Sequence, residues 1–337
     1  QVLMDNFDKL SPEQATMFSK EAFLYQGAPF FAAVLAYSIG NQTISQRLFA
    51  IREDHIKPTF ITATIGYGAI VVGLGMIGLM ALLVGVEPLD GNMNNLIPQM
   101  VSMYLPAGFI LLFFILVIGS LSSTADADLC ALSAIVMADI YGKNIAKNNP
   151  DPRKMLFIGR VTMITVTAIG VVLASLSLDI LVMLVFVGAL WGAIVFPVIA
   201  SCFWNRVTDK AFTWSVITAL VMFCIVRFSL LPMTGAIALV FELLASVGGA
   251  VVIGLMAFGF FGRRAAFVIA TVVAVVMSYY SVGELREYTV LMSSLTAYGV
   301  STLVCIALSL TSQHRFDFAL IKKRVRDYDC DQANTNA

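Results

Sequence analysis

Apolar residues in this chain run in long blocks, neither alternating nor confined to a narrow helical stripe. From Gly27 to Thr311, stretches in which nearly every position is apolar are separated by short polar connections. A spanning helix needs about 20 such residues at roughly 1.5 Å rise each. Nine stretches qualify: 28–50, 58–86, 106–141, 155–178, 180–203, 211–230, 234–261, 265–282 and 289–311. The pattern predicts an all-α polytopic membrane protein. The third stretch exceeds what a bilayer requires, so one of its ends is expected to project into water.

Composition agrees. Of 337 residues, 59% are hydrophobic and only 12% charged, too little charge to cover a soluble domain of this length. Zero formal net charge gives no reason to expect a nucleic-acid partner. The five cysteines (Cys130, Cys202, Cys224, Cys305 and Cys330) form no CxxC pair, which argues against a disulfide framework or a zinc site.

The placement of charge says more than its sum. One alternating set of connections holds Arg47, Arg52 and Lys57; Lys143, Lys147, Arg153 and Lys154; Arg206 and Lys210; Arg263 and Arg264; and the tail residues Arg315, Lys322, Lys323, Arg324 and Arg326. These are 16 of the 21 Lys and Arg; the opposite set holds only Lys9, Lys20, Arg227 and Arg286, and Arg160 lies within a span. By the positive-inside rule the tail is cytoplasmic, while the first 26 residues and the 87–105 loop lie outside. The expected location is the plasma membrane, in a bacterium the inner membrane. Beside the basic tail residues, Phe316, Phe318, Leu320 and Ile321 either lie along the lipid surface or belong to a solvated tail. With no initiator Met and no signal peptide, the chain reads as beginning mid-protein.

Polar groups inside the spans are the candidates for chemistry. In Gly119–Tyr141, Ser120, Ser123 and Thr124 share one helical face with Ala127, Ala131, Ala134 and Ala138. Such a small-residue stripe admits a close neighbouring helix. Its hydroxyls either bond their own backbone at i−4 or serve a hard cation such as sodium, helped by carbonyls from an unwound neighbour. Asp126 and Asp128 follow one turn later and point to different sides. An acid at membrane depth costs about 2.5–3.5 kcal/mol on insertion scales and usually faces a cavity. The pair is therefore a second cation site, a vestibule or gate contact, or two merely solvated acids. Asp139, near Lys143, is expected to end the helix at the interface.

In the first span, Gly40-Asn41-Gln42 interrupts an apolar helix with amides, and Tyr37 stands one turn earlier. Broken helices bind substrate groups in secondary transporters, so Tyr37, Asn41 and Gln42 are candidates for a substrate path. The other reading is that the amides bond to neighbouring helices. Glu242 could pair with Arg227 or serve oligomer packing, and Gly66, Gly68, Gly73, Gly75 and Gly78 look like close helix packing.

Three stretches resemble the sodium:solute symporter family, which includes proline, sugar, pantothenate and urea symporters. Ser123-Thr124-Ala125-Asp126 followed by Asp139-Ile140-Tyr141 is similar to its "ST…(D/E)xY" core helix. Asn41-Gln42 through Gln46-Arg47 looks like its "NQ/DQ…QR" segment, and Phe203-Trp204-Asn205-Arg206-Val207-Thr208 like its "lWkRvT" connection. Ser122 stands where Met is common in the family and Ser120 where a small Ala is usual.

The resemblance implies the second half of an inverted-repeat core of five plus five helices, followed by peripheral C-terminal helices. Domains would then be 1–26, an external segment; 27–205, five core spans; 206–311, four peripheral spans; and 312–337, the cytoplasmic tail. It also implies Na+ as coupling ion, held by Ser123 and Thr124 hydroxyls and a Ser120 carbonyl. The remaining ligands would come from a first repeat that this chain lacks, and the cargo would be a small polar solute. The other class considered is a symporter-like membrane sensor joined to a kinase, which a catalytic domain downstream in the reading frame would reveal. An enzyme is not expected: Asp126, Asp128 and Asp139 share one helix, whereas aspartyl catalysis needs two acids to meet.

Overall fold

The computed structural model describes residues 19–147, 149–175, 180–280, 282–313, 315–321 and 323. Expectations placed on Lys9, Lys322, Arg324, Arg326 and Cys330 fall outside them. Regular structure among these residues is entirely helical. Among them, the α-helices of eight or more residues are, in order, α1 (Ala28–Gly40), α2 (Gln42–Phe49), α3 (Ile56–Val84), α4 (Leu96–Tyr104), α5 (Ala107–Ile135), α6 (Pro152–Ala174), α7 (Ile180–Phe203), α8 (Asp209–Arg227), α9 (Gly235–Tyr280) and α10 (Thr289–Thr311). Helices long and apolar enough to cross a membrane number eight among the described residues.

Helix α9 accounts for two of the nine predicted spans. Its 46 residues would extend about 69 Å if straight, more than twice the ~30 Å hydrocarbon core. It is not straight. Gly262 has φ 81° and ψ 180°, a conformation essentially confined to glycine. A Cβ on Gly254 would lie 2.8 Å from Cβ of Ala270, and one on Gly249 would fall against the Met277 thioether. Residues eight before and eight after Gly262 therefore face each other. The helix is a hairpin of two antiparallel arms, 235–261 and 263–280, in place of the two spans read from sequence.

Local chemistry places the other ends. Asp151 caps α6 by accepting from Arg153 N–H at 3.0 Å, with Pro152 in the first turn. Thr208 caps α8 through Ala211 N–H at 3.3 Å, and Gly85 ends α3 at φ 77°. Helix α5 does not stop at Asp139 as expected. It runs on as a π-helix over Val136–Ile145, with Lys143 Nζ donating to Asp139 Oδ1 at 2.6 Å. The 39 residues together exceed about 50 Å, longer than the ~30 Å hydrocarbon core.

The helices gather into two compact units. In the unit formed by residues 41–182, α5 is flanked by α2, α4 and α6. Gly159 of α6 meets α5 closely: an added Cβ would lie 2.6 Å from Met137 Sδ and 2.9 Å from Ser133 Oγ. The glycine run of α3 does not pack as expected. Among the described residues nothing lies within 4 Å of a Cβ built on Gly66, Gly68, Gly73, Gly75 or Gly78. Glycine permits a close approach without causing one, and this face of α3 is open.

The other unit holds residues 20–40 and 183 onward. Its centre is α10, in which every residue from Leu291 to Thr302 is buried. Helices α8 and α9 pack along it. Gly248 and Gly299 face each other so closely that a Cβ on either would fall on a carbonyl of the opposite helix, Leu295 or Leu244 respectively. Tyr298, fully buried, donates its hydroxyl to the Ala32 carbonyl of α1 at 2.7 Å. Tyr298→Phe should lower stability by about 1 kcal/mol, the net worth of one such bond, in a thermal or denaturant titration. A loss of several kcal/mol would mean that the ring, not the hydroxyl, had been displaced.

Glu242 does not pair with Arg227. Fully buried in the first arm of α9, its Oε1 accepts from Arg286 Nε at 2.6 Å and from Gly283 N–H at 3.1 Å. In the tail, the Phe316 N–H donates to the Asn205 carbonyl at 2.7 Å and the Phe316 ring packs on Phe318.

Candidate functional site

The helix break read from sequence is present at the residue expected. Helix α1 ends at Gly40, Asn41 is extended at φ −81° and ψ 123°, and α2 begins at Gln42. Asn41 is the cause. Its Oδ1 accepts from Thr43 N–H at 2.7 Å and from the Thr43 hydroxyl at 2.6 Å, and its carbonyl accepts from Ile44 N–H at 3.2 Å. Those two N–H groups would continue the i→i−4 ladder into α1, accepted by Ile39 and Gly40; they turn to Asn41 instead. The last carbonyls of α1 are thereby freed, the arrangement by which broken helices bind ions and polar solutes. Asn41 and Thr43 are buried, while Gln42 is exposed.

Tyr37 lies one turn above the break, half-buried. Its ring stands 4.7 Å from that of Trp191 on α7, tilted by 45°. Trp191 also covers the last turn of α1, since a Cβ on Gly40 would sit 3.7 Å from its ring. Sequence reasoning missed Trp191. The available signal was a lone indole between Gly188 and Gly192, two glycines that seat α7 against Ala33 and Tyr298.

On α5, Ser120, Ser123 and Thr124 are all exposed. Thr124 donates its hydroxyl to the Ser120 carbonyl at 3.1 Å, so two of the predicted sodium ligands are adjacent. This is also the i−4 bond anticipated as the alternative. The two are compatible, because a hydroxyl that donates its one proton keeps its lone pairs for a cation. Further along the stripe Ala127 and Ala134 are half-buried, Ala131 is buried and Ala138 is exposed. The covered middle leaves the hydroxyl end open.

Asp126 and Asp128 are exposed, and neither has an ion-pair partner among the described residues. Asp126 Oδ1 accepts only a weak bond from Cys130 Sγ at 3.9 Å. Carboxylates at membrane depth that lack a basic partner require water or a cation.

Apolar helices of spanning length, one of them broken by its own cap, define a polytopic helical membrane protein. The family follows directly from the sequence. Residues 3–219 match the family model described as the sodium:solute symporter family, and the chain belongs to it. Comparison with curated proteins and with solved structures returned no match. Membership makes sodium-coupled transport of a solute through a multi-pass membrane protein the activity of this class, with Na+ as a transported ion.

Proposed function

We propose that this chain is the second half of a plasma-membrane symporter that couples Na+ entry to uptake of a small polar organic solute. The observation that carries the reading is the open oxygen cluster on α5. The Ser120 carbonyl and Thr124 hydroxyl stand 3.1 Å apart, with Ser123 beside them, on a face of small residues. Three oxygens form an incomplete shell for Na+. The remaining ligands come from a first five-helix repeat, which lies against this face.

The solute path runs by Tyr37, Asn41 and Gln42. Asn41 holds the helix broken, the freed carbonyls of α1 accept from the solute, and Tyr37 on Trp191 forms the wall. Asp126 and Asp128 attract the cation toward its exit or form a second cation site. The 16 basic residues in one alternating set of connections support a cytoplasmic C-terminus. Each Na+ then moves down the membrane potential with about 2.3 kcal/mol per 100 mV.

Solute uptake as a function of sodium tests the site. In the full-length transporter, Ser123→Ala with Thr124→Ala should raise the sodium concentration for half-maximal uptake at least ~10-fold, about 1.4 kcal/mol of lost cation binding. An unchanged sodium dependence in a protein that still transports would remove these hydroxyls from the site.

A further inference from the structure

The turn of the α9 hairpin has a chemistry that transport leaves unused. Phe260 and Phe261, 82% and 72% exposed, stand together with ring centroids 6.3 Å apart. Gly262 follows, and then Arg263 and Arg264, both exposed. Nothing lies within 4 Å of a Cβ built on Gly259 or Gly262, so the tip stands clear of its neighbours.

Two basic side chains in other connections have an acid beside them: Lys143 has Asp139 at 2.6 Å and Arg52 has Asp54 at 3.5 Å. Arg263 and Arg264 have no ion-pair partner among the described residues, and the sequence from 243 to 283 contains no acid.

Depth in the bilayer can be read from the second arm. It runs from 263 to 280 and ends at Tyr279 and Tyr280, exposed by 79% and 70% and packed edge to face at 5.0 Å. Aromatic pairs thus bracket an arm of about 27 Å, close to the ~30 Å hydrocarbon core. Tyr and Trp gather at the membrane–water interfaces. Tyr279 and Tyr280 mark one interface, and the arm's length then puts the two arginines at the headgroup level of the other, with Phe260 and Phe261 beside them. At the other end the nearby Arg286 is held by Glu242.

We propose that this tip, Phe260 to Arg264, is a docking surface for the headgroups of anionic phospholipids. The two phenyl rings enter the acyl boundary, and the unpaired guanidiniums bind the phosphate above it. Arg suits this role because its planar donors meet phosphate oxygens in pairs. The inference rests on membrane embedding alone and stands or falls independently of the sodium site.

Lipid retention by the purified full chain tests it, read as intact mass after release from micelles doped with phosphatidylglycerol or phosphatidylcholine. The wild type should retain phosphatidylglycerol preferentially. Arg263→Gln with Arg264→Gln should weaken that retention about 30-fold, some 5-fold per arginine at roughly 1 kcal/mol each. Arg263→Lys with Arg264→Lys should restore part of it, the share carried by charge and not by paired donors, which separates charge from misfolding. Arg153→Gln with Lys154→Gln, a basic pair beside the cap Asp151, should leave it unchanged. Equal retention of the two lipids by the wild type, or undiminished phosphatidylglycerol on the Gln variant, would overturn the proposal. So would displacement of the lipid by inorganic phosphate, which would mark a site for a free anion.

Discussion

Gly248→Val should unfold the C-terminal helices or cost at least about 3 kcal/mol, the upper end of overpacking penalties. Most overpacked sites yield because a side chain can swing aside. Here the obstacle is backbone: any Cβ on Gly248 meets the Leu295 carbonyl of α10, and the facing Gly299 meets that of Leu244. The helices can accommodate the addition only by separating, which strips contacts along the whole crossing. In a membrane those contacts are the main force between helices, since lipid is as apolar as the side chains it would replace. Gly248→Ala should already be destabilised. Gly259→Val, on the same helix with nothing within 4 Å, should be close to neutral, since valine is no worse a helix former than glycine. Denaturant titration in a fixed detergent separates them, and equal stability of the two Val variants would show that α9 and α10 do not cross at Gly248.

Arg286→Met comes next in size, with an expected loss of about 3 kcal/mol. Breaking a buried pair from one side strands the other charge, at about 3–5 kcal/mol in general. Arg286 is 38% exposed while Glu242 is fully buried, so water offsets part of the loss and the lower end applies. The double variant Glu242→Gln, Arg286→Met should be more stable than Arg286→Met alone, because no charge is then stranded. By contrast, the Lys20–Glu284 pair at 2.7 Å is exposed on both sides, and Lys20→Met should change stability by less than about 1 kcal/mol. The same titration reads all four proteins. A double variant less stable than Arg286→Met would mean that the pair contributes more than charge compensation.

Several features of the fold were legible because they depend on neighbours in sequence. Spans follow from unbroken apolar length. The hairpin in α9 was visible as two apolar runs divided by Gly262-Arg263-Arg264. The break after Gly40 was visible because an asparagine that captures its own downstream N–H needs only two further residues. The Thr124–Ser120 bond is likewise one helical turn, which is why spacing could offer both it and sodium coordination as readings of the same hydroxyls.

What misled the reading were features that depend on distant partners. Pairing with Arg227, the nearer charge along the chain, is one of the roles the sequence offers Glu242, yet its partner lies 44 residues away. Glycines in α3 and α9 look alike in sequence, but only in α9 do some of them, Gly248, Gly249 and Gly254, sit tightly against another segment. Nor could the hydropathy of α10 distinguish a helix facing lipid from one sunk among its neighbours.

By itself, then, the sequence determined the class of protein, which runs are apolar and long enough to cross, and the place where the first helix breaks. Each of these is set within one or two helical turns by hydrophobicity and local hydrogen bonding. Only tertiary structure decided which carboxylate meets which guanidinium, which glycines are crossing points, and that Trp191 stands beside Tyr37. Those outcomes depend on which helices come together, and nothing within a few residues of any one position encodes that.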